Sequence, residues 1–300
     1  MAMARIVETA HAKVNLTLSV RGRRPDGYHD IASLIVFADV GDELTLTTDR
    51  PGGLEVAGRF APALTGENLI ARAAAALRAR CPDLPMGAVL LDKRLPVAAG
   101  LGGGSADAAA FLRAVRRAQP DLTGTVDWQA VASALGADVA VCLSSGPSFV
   151  TGIGDQVSPA PPLPDMAAVL ACPAVPLDPS KTATVYRALA APPLDPARPP
   201  SARTGPLRSL DAVVALLEAE PNDLRAAALS VMPVIAETEA ALAASRGCRA
   251  VRLSGSGPTC FGLYDDAMAA QAAAQAIARA YPTWWVVACT LRGLAISSSG

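Results

Sequence analysis

The chain has few of the residues from which metal centres and disulfide scaffolds are built. Its 300 residues include two histidines and six cysteines, and the cysteines form no CxxC pair. No HExxH or EF-hand pattern is present, so there is little from which to build a metal site. We therefore predict no protein-built metal site and interpret the cysteines as reduced, mostly buried thiols.

An excess of charge is also missing. The sequence has 26 basic and 27 acidic residues, a formal net charge of -1, and no long run of either sign. Electrostatic binding to nucleic acid or to an anionic membrane is therefore not expected. The apolar segments are too short or too interrupted to span a bilayer, and no basic stretch with an apolar run opens the chain. We expect a cytoplasmic monomer or homodimer with a small-molecule partner.

Apolar residues are plentiful and follow regular patterns. They make up 51% of the chain, which is ample for a large buried core. Alternation over 13–20 predicts a half-buried strand, and the segments 31–37 and 43–48 predict two further strands. Apolar spacings of three and four over 67–80 predict a helix.

The rest of the chain continues this mixture of strands and helices. Strong helix formers over 107–118 predict a helix directly after a glycine cluster, and six prolines in 191–206 predict a loop. The order of elements predicts an α+β fold. We place a domain boundary near residue 150, which gives domains at 1–150 and 151–300.

A glycine-rich loop at Pro96–Asp107 carries the strongest chemical signal. Gly100, Gly102, Gly103 and Gly104 stand directly ahead of the predicted helix. Without Cβ atoms, consecutive backbone amides can converge on an anion, and a helix N-terminus adds roughly half a positive charge. The pattern therefore favours a bound phosphate. The alternative is a loop that needs glycine only for its positive φ angles.

Three better-known motifs are excluded. A GxxxxGK[ST] loop is absent, because no lysine follows these glycines. A dinucleotide fingerprint needs a glycine where Ser105 stands and an acidic residue at a strand end about 20 positions later. Asp121 and Asp127 fall in that range but in a turn-like context. The serines in Ser254–Pro258 lack the flanking glycines of a GxSxG nucleophile elbow.

Several segments resemble the GHMP kinases, a superfamily named after the galacto-, homoserine, mevalonate and phosphomevalonate kinases. The loop at Pro96–Ser105 resembles the superfamily's signature. Within the superfamily, the likeness is greatest to the 4-diphosphocytidyl-2-C-methyl-D-erythritol kinases of non-mevalonate isoprenoid synthesis. It rests on Ala12–Leu18 with Arg24–His29, on Lys93–Ser105 and on Arg252–Phe261, which follow the family's order. The Gly-Tyr-His element of the first segment is the most specific of these.

The resemblance implies a two-domain GHMP kinase fold, with an N-terminal ribosomal-protein-S5-like domain that binds ATP and a C-terminal ferredoxin-like domain. It also implies that the 2-hydroxyl of a cytidine diphosphate substrate is phosphorylated by MgATP, with release of ADP. Asp138 would be the general base, and Lys13 would orient the hydroxyl and stabilise its charge. A Mg²⁺ ion bridging the phosphates would complete the site.

The same resemblance assigns the ligand contacts. Lys93 would lie near the adenine of ATP. The other ATP-binding residues would be Pro96, Val97, Ala98, Ala99, Gly100, Leu101, Gly102, Gly103, Gly104, Ser105 and Ala106. The acceptor would be bound by Asn15, Tyr28, His29, Thr182 and Tyr186. Tyr28 and Tyr186 would sandwich the cytosine ring, and His29 would hydrogen-bond its edge.

The residues themselves leave other roles open. Ala106 stands where the family usually has a second serine, so Ser105 alone would supply a hydroxyl to phosphate or Mg²⁺. Asp138 lies among apolar residues, and its burial would require a basic partner such as Lys13. The alternatives are a helix cap or turn for Asp138 and solvated surface charges for Lys13 and Lys93.

Two other functions remain open at this stage. One is a GHMP kinase for another alcohol, such as homoserine or mevalonate, and the Gly-Tyr-His element at 27–29 argues against it. The other is a non-catalytic regulator that binds a nucleotide. Lys13 and Asp138 argue against a regulator, because a binding module does not need a proton acceptor.

Overall fold

One long strand organises the first half of the fold. The structure, a computed structural model, describes residues 5–295 except 83, 123, 177, 179 and 196–204. Strand β3, His29–Thr47, runs for 19 residues. Five strands pair antiparallel with parts of it: β1 (Arg5–Asn15), β2 (Ser19–Arg23), β5 (Ala88–Asp92), β6 (Ser148–Gly152) and β11 (Trp285–Arg292). The two strands predicted over 31–37 and 43–48 are therefore one.

The strand predicted over 13–20 is divided in the structure. β1 ends at Asn15 and β2 begins at Ser19. β1 also shifts register between His11 and Lys13, opposite Gly41. A Cβ at Gly41 would lie 2.3 Å from the Ala10 carbonyl oxygen, so the glycine permits this close approach of the two strands.

The sheet continues into the second half of the chain. Its strand order is β4-β5-β3-β11-β8-β10-β9, and the remaining strands are β4 (Gly53–Ala57), β7 (Gln156–Pro159), β8 (Met166–Cys172), β9 (Cys248–Leu253) and β10 (Cys260–Tyr264). β11 pairs with both β3 and β8, so the last strand joins the two halves. Residue 150 lies within β6, and the domain boundary stays a prediction.

Helices cover the sheet: α1 (Leu69–Arg80), α2 (Gly103–Ala118), α3 (Trp128–Leu135), α4 (Ala137–Ser144), α5 (Lys181–Leu189), α6 (Leu210–Ala219), α7 (Arg225–Val231), α8 (Val234–Ala243) and α9 (Ala267–Ala280). The sequence patterns did not predict α3, α4 or α5. In the predicted proline loop, residues 191–195 and 205–206 belong to no helix or strand, and 196–204 lie outside the described residues. No helix within the described ranges is long and apolar enough to cross a membrane.

Packing of α2 fixes the position of the glycine loop. Every residue of α2 from 106 to 115 is buried, and half of them are alanines that allow close contact with β1. Arg113 of α2 donates to Glu8 Oε2 of β1 over 2.9 Å and to the Thr9 carbonyl over 2.9 Å. These buried contacts hold the N-terminus of α2 over the part of β1 that carries Lys13.

Candidate active site

A cavity of about 690 Å³ lies where the glycine loop meets β1, α4 and α5. This volume suits a small-molecule site, and the wall combines glycines with a few charged side chains. Ten of the twelve residues predicted to bind ATP line it: Lys93, Pro96, Val97, Ala98, Ala99, Gly100, Gly102, Gly103, Gly104 and Ser105. Leu101 and Ala106 do not, because both side chains are buried in the core.

The glycine loop ends in an open helix N-terminus. The helix predicted to begin at 107 begins at Gly103, so Gly103 and Gly104 form its first turn. The first helical hydrogen bond runs from the Ala106 amide to the Gly102 carbonyl over 2.9 Å. The amides of Gly103, Gly104 and Ser105 therefore have no partner within the helix, which is the arrangement that binds phosphate elsewhere.

Two glycines of the loop meet conformational and steric demands. Gly100 and Gly102 have φ angles of +82° and +65°, a region that favours glycine. A Cβ at Gly100 would lie 2.6 Å from the Ser254 carbonyl oxygen, since a second glycine loop packs against the first. The Ser254 hydroxyl donates to the Gly100 carbonyl over 3.0 Å, and the Thr259 amide donates to the Ala99 carbonyl over 3.2 Å. The second glycine loop, residues 254–258, therefore packs directly against the phosphate loop.

Lys13 and Asp138 meet at the cavity wall. Lys13 Nζ lies 3.0 Å from Asp138 Oδ1, and the side chains are 9% and 52% exposed. The pairing inferred from the sequence is therefore present, but the expected burial of Asp138 is wrong. Asp138 lies in the first turn of α4, after Gly136, and its carboxylate opens toward the cavity. The surface role for Lys13 is also wrong, because the side chain is buried.

Residues 13–18 are buried on both faces, so the expectation of a half-buried strand is wrong for this segment. Lys13 Nζ donates to Asn15 Oδ1 over 3.5 Å, and Asn15 Nδ2 donates to Ser33 Oγ over 2.8 Å. Ser33 Oγ in turn donates to the Thr17 carbonyl over 2.6 Å. This chain of hydrogen bonds fixes the Lys13 and Asn15 side chains at the wall of the cavity.

Lys93 forms a buried ion cluster beneath the glycine loop. Its ammonium lies 2.5 Å from Asp42 Oδ2 and 2.8 Å from Asp107 Oδ2, and the side chain is 2% exposed. The alternative of a solvated lysine is therefore wrong. Asp42 Oδ1 also accepts from the amides of Arg94 and Leu95 over 2.6 and 2.8 Å. The contact of Lys93 with adenine stays a prediction.

Burial controls the charge of this cluster. Desolvation raises the pKa of Asp107 to about 8, although the neighbouring Lys93 cation opposes the shift. A protonated Asp107 leaves one cation, Lys93, facing one carboxylate, Asp42. The cluster beneath the phosphate loop is then neutral, which lowers the cost of its burial.

The five residues predicted to bind the acceptor are only partly assembled. Asn15, Thr182 and Tyr186 line the cavity. The rings of His29 and Tyr186 meet at its edge, with centroids 4.8 Å apart and planes at 33°. Tyr28 is 62% exposed and does not line the cavity, so the predicted sandwich around cytosine is not formed here. These contacts with the acceptor stay predictions.

The sequence patterns did not predict two features of the cavity. Thr182 Oγ1 lies 3.0 Å from Ser256 Oγ, which joins α5 to the second glycine loop. Lys181, the first residue of α5, is buried and lines the cavity. No motif marks Lys181 in the sequence, and α5 itself was not predicted.

The described part of the chain shows little sign of a protein-built metal site or of a reactive thiol. It contains no group of three or more His, Cys, Asp or Glu side chains that could hold a metal ion. The six cysteines are free thiols, three buried and three partly buried. Burial raises the pKa of Cys142 to about 12 and that of Cys172 to about 11, which suppresses the nucleophilic thiolate.

Comparison with known proteins identifies the family. Residues 68–146 match the GHMP kinases N-terminal domain, and residues 207–283 match the GHMP kinases C-terminal domain. A 4-diphosphocytidyl-2-C-methyl-D-erythritol kinase of Parvibaculum lavamentivorans is 47% identical over 94% of this chain and 96% of its own length. The kinase of the same name from Rhodopseudomonas palustris is 45% identical over 95% of this chain and 96% of its own length.

Solved structures agree on the fold. A crystal structure of 4-(cytidine 5'-diphospho)-2C-methyl-D-erythritol kinase matches with a TM-score of 0.74 and 36% identity, over 96% of this chain and 100% of that one. Homoserine kinase from Cytophaga hutchinsonii, at 18% identity and a TM-score of 0.66, shares the fold over 97% of this chain and 96% of its own. The predicted α+β, two-domain GHMP kinase fold is confirmed. The chain belongs to the 4-diphosphocytidyl-2-C-methyl-D-erythritol kinase family of the GHMP kinases.

Proposed function

We propose that this protein transfers the γ-phosphoryl group of ATP to the 2-hydroxyl of 4-diphosphocytidyl-2-C-methyl-D-erythritol and releases ADP. One observation carries the chemistry: the Lys13–Asp138 pair lies beside the open N-terminus of α2. The Lys13 amide donates to the Leu101 carbonyl over 2.8 Å, and a Cβ at Gly102 would lie 3.0 Å from Lys13 Cε. A phosphate held by the loop would thus lie next to the proton acceptor.

The transfer needs a proton acceptor and a cation at the acceptor hydroxyl. In the proposed reaction, the hydroxyl oxygen bonds to the γ-phosphorus as the bond from that phosphorus to the oxygen of ADP breaks. Asp138 takes the hydroxyl proton, and Lys13 stabilises the negative charge on the attacking oxygen. The half-exposed carboxylate of Asp138 can then return its proton to solvent.

Phosphate binding would fall to backbone amides. Those of Gly103, Gly104 and Ser105 would hold the phosphates of ATP at the helix N-terminus. The loop also suits Mg²⁺, because Ser105 lines the cavity, its hydroxyl would supply an oxygen, and oxygen is the ligand that Mg²⁺ prefers. The ion would neutralise phosphate charge there.

Selection of the acceptor would rest on its cytidine. His29 and Tyr186 already meet at the edge of the cavity, and Tyr28 precedes His29 on an exposed turn. A cytosine ring could stack on Tyr28 and hydrogen-bond to His29, while Asn15 and Thr182 face the remainder of the substrate. Homoserine and mevalonate carry no aromatic base for these residues to bind.

The test is ADP release by the purified protein with MgATP and a panel of acceptors. The panel contains the cytidine diphosphate methylerythritol, homoserine, mevalonate and no acceptor. Turnover with the cytidine compound alone, and phosphorus NMR showing a new monoester at its 2-oxygen, would support the proposal. Turnover with homoserine or mevalonate would reassign the substrate, and no turnover would favour a nucleotide-binding regulator.

A further inference from the structure

Lys181 is a buried cation that the proposed mechanism does not use. The residue is 6% exposed, begins α5 and lines the cavity, and its ammonium donates to the Gly257 carbonyl. The other two lysines that line the cavity, Lys13 and Lys93, each contact a carboxylate. Within the described residues, no carboxylate lies within ion-pair distance of Lys181.

Burial leaves this ammonium short of partners. It has three N–H donors, and one carbonyl satisfies one of them. Desolvation lowers the pKa of Lys181 to about 8, and the nearby Cys172 thiol opposes that shift only in part. A cation held under such conditions gains free energy when an anion replaces its lost water.

The position of Lys181 indicates which anion this would be. Tyr186 lies five residues further along α5 and contacts His29, so one direction from Lys181 leads to the proposed cytidine end. In the other direction, Gly257 packs against Gly100 of the phosphate loop, since a Cβ at Gly100 would lie 2.8 Å from the Gly257 carbonyl oxygen. Lys181 therefore lies between the base-binding end and the reacting end of the cavity.

We propose that Lys181 binds the diphosphate group of the acceptor. In a cytidine diphosphate alcohol, the diphosphate joins the nucleoside to the reacting alcohol. It must therefore span the part of the cavity between the base-binding end and the reacting end. The inference rests on the proposed function, because it takes that substrate as the occupant. Asp138 binds the hydroxyl in this arrangement, and Lys181 holds the negatively charged link to the base.

The experiment measures binding without turnover. Isothermal titration calorimetry gives the Kd of CDP and of cytidine for the wild type, for Lys181→Met and for Arg187→Met. Arg187 is the matched control, since its loss removes one cation from the exposed part of the same helix. We expect CDP to bind the wild type at least about 10-fold more tightly than cytidine, as a charge-assisted hydrogen bond implies. Lys181→Met should abolish that preference, and Arg187→Met should keep it.

A purely structural role predicts a different result. If Lys181 only supports the second glycine loop, Lys181→Met weakens CDP and cytidine binding equally, and the proposal is wrong. Equal affinities for CDP and cytidine in the wild type would also overturn it, whatever the variants do. Lys181→Gln, with a smaller change in polarity, replaces Lys181→Met if thermal unfolding shows that the latter does not fold.

Kinetics separates this inference from the proposed function. For Lys181→Met we expect the KM for the acceptor to rise about 10-fold to 100-fold, while the KM for ATP changes less than about twofold. A rise in the KM for ATP alone would place Lys181 in the donor site and contradict the inference. If the wild type turns over no acceptor, the proposed function fails, but the dependence of CDP preference on Lys181 still supports a diphosphate site.

Discussion

The ammonium of Lys13 lies 3.0 Å from Asp138 Oδ1, and this contact joins a buried side chain to a half-exposed one. Hydrogen bonds through Asn15 fix the lysine, whereas the carboxylate opens into the cavity. The asymmetry suits proton transfer, because the cation stays in place while the base exchanges protons with solvent. The glycine loop packs directly against Lys13, so loop geometry and reaction chemistry are coupled.

Gly102→Ala should damage both stability and catalysis. Gly102 has a φ of +65°, and an added Cβ would lie 3.0 Å from Lys13 Cε. We expect a loss of about 1–2 kcal/mol in unfolding free energy from the left-handed backbone, and a fall in kcat of roughly 10-fold or more from displacement of Lys13. Urea denaturation and steady-state kinetics measure the two effects.

Gly104→Ala is the control for stability. Gly104 lies in the same first turn of α2, has no positive φ, and an added Cβ would meet nothing closer than 3.7 Å. Its unfolding free energy should stay constant or rise by up to about 1 kcal/mol. Equal losses in the two variants would show that backbone strain at Gly102 is not the cause.

Lys93→Met should destabilise the protein strongly. The variant leaves Asp42 and Asp107 buried without their cation, and breaking a buried ion pair in this way costs about 3–5 kcal/mol. Arg94→Met is the matched control, because Arg94 is 53% exposed in its contacts with Glu43 and Asp92. Removing an exposed pair costs about 0–1 kcal/mol. Similar unfolding free energies for the two variants would refute the role of the buried cluster.

Stability should fall as pH rises, because of Asp107. Burial raises the folded-state pKa of Asp107 from its ordinary 3.8 to about 8, so the folded protein keeps a proton that the unfolded chain releases. This contribution is complete below the ordinary pKa and is lost as pH rises toward the folded-state pKa. Urea unfolding of the wild type and of Asp107→Asn at several pH values measures this loss. As pH rises, the unfolding free energy of the wild type should fall relative to that of Asp107→Asn. A relative rise would contradict the raised pKa of Asp107.

Tyr28→Ala should weaken acceptor binding without changing stability. The ring is 62% exposed, so its loss removes little buried area. Stacking of a base on an aromatic side chain is worth about 1–3 kcal/mol, which corresponds to a rise of about 5-fold to 150-fold in the KM for the acceptor. Tyr28→Phe keeps the ring and should keep the KM. An unchanged KM in Tyr28→Ala would remove Tyr28 from the acceptor site.

The sequence predicted those parts of the site that depend on local pattern. The glycine loop needs only the order of residues along the chain, and alternation along β1 placed Lys13 and Asn15 on one face. The Lys13–Asp138 pairing came from the cost of burying a carboxylate together with the family likeness. That cost argument used burial that the structure does not have, since the apolar residues that follow Asp138 on α4 are buried while the Asp138 side chain itself is 52% exposed.

The remaining features depend on contacts that a local pattern does not contain. Lys93 reaches Asp42 because β3 and β5 pair in a register that sets Glu43 opposite Asp92, and periodicity does not specify register. The contact of His29 with Tyr186 joins residues from opposite halves of the chain. Lys181 begins a helix of nine residues, too short for its apolar spacing to stand out from the prolines around it.

The most direct test of the account compares turnover with ATP binding in Asp138→Asn. The substitution keeps the size of the side chain and removes the proton acceptor. We predict a fall in kcat of about 10²-fold to 10⁴-fold, with a Kd for ATP within about twofold of the wild type, since the amides of α2 are untouched. A variant that keeps the wild-type kcat would contradict the assignment of Asp138 as the base, and with it the proposed reaction centre.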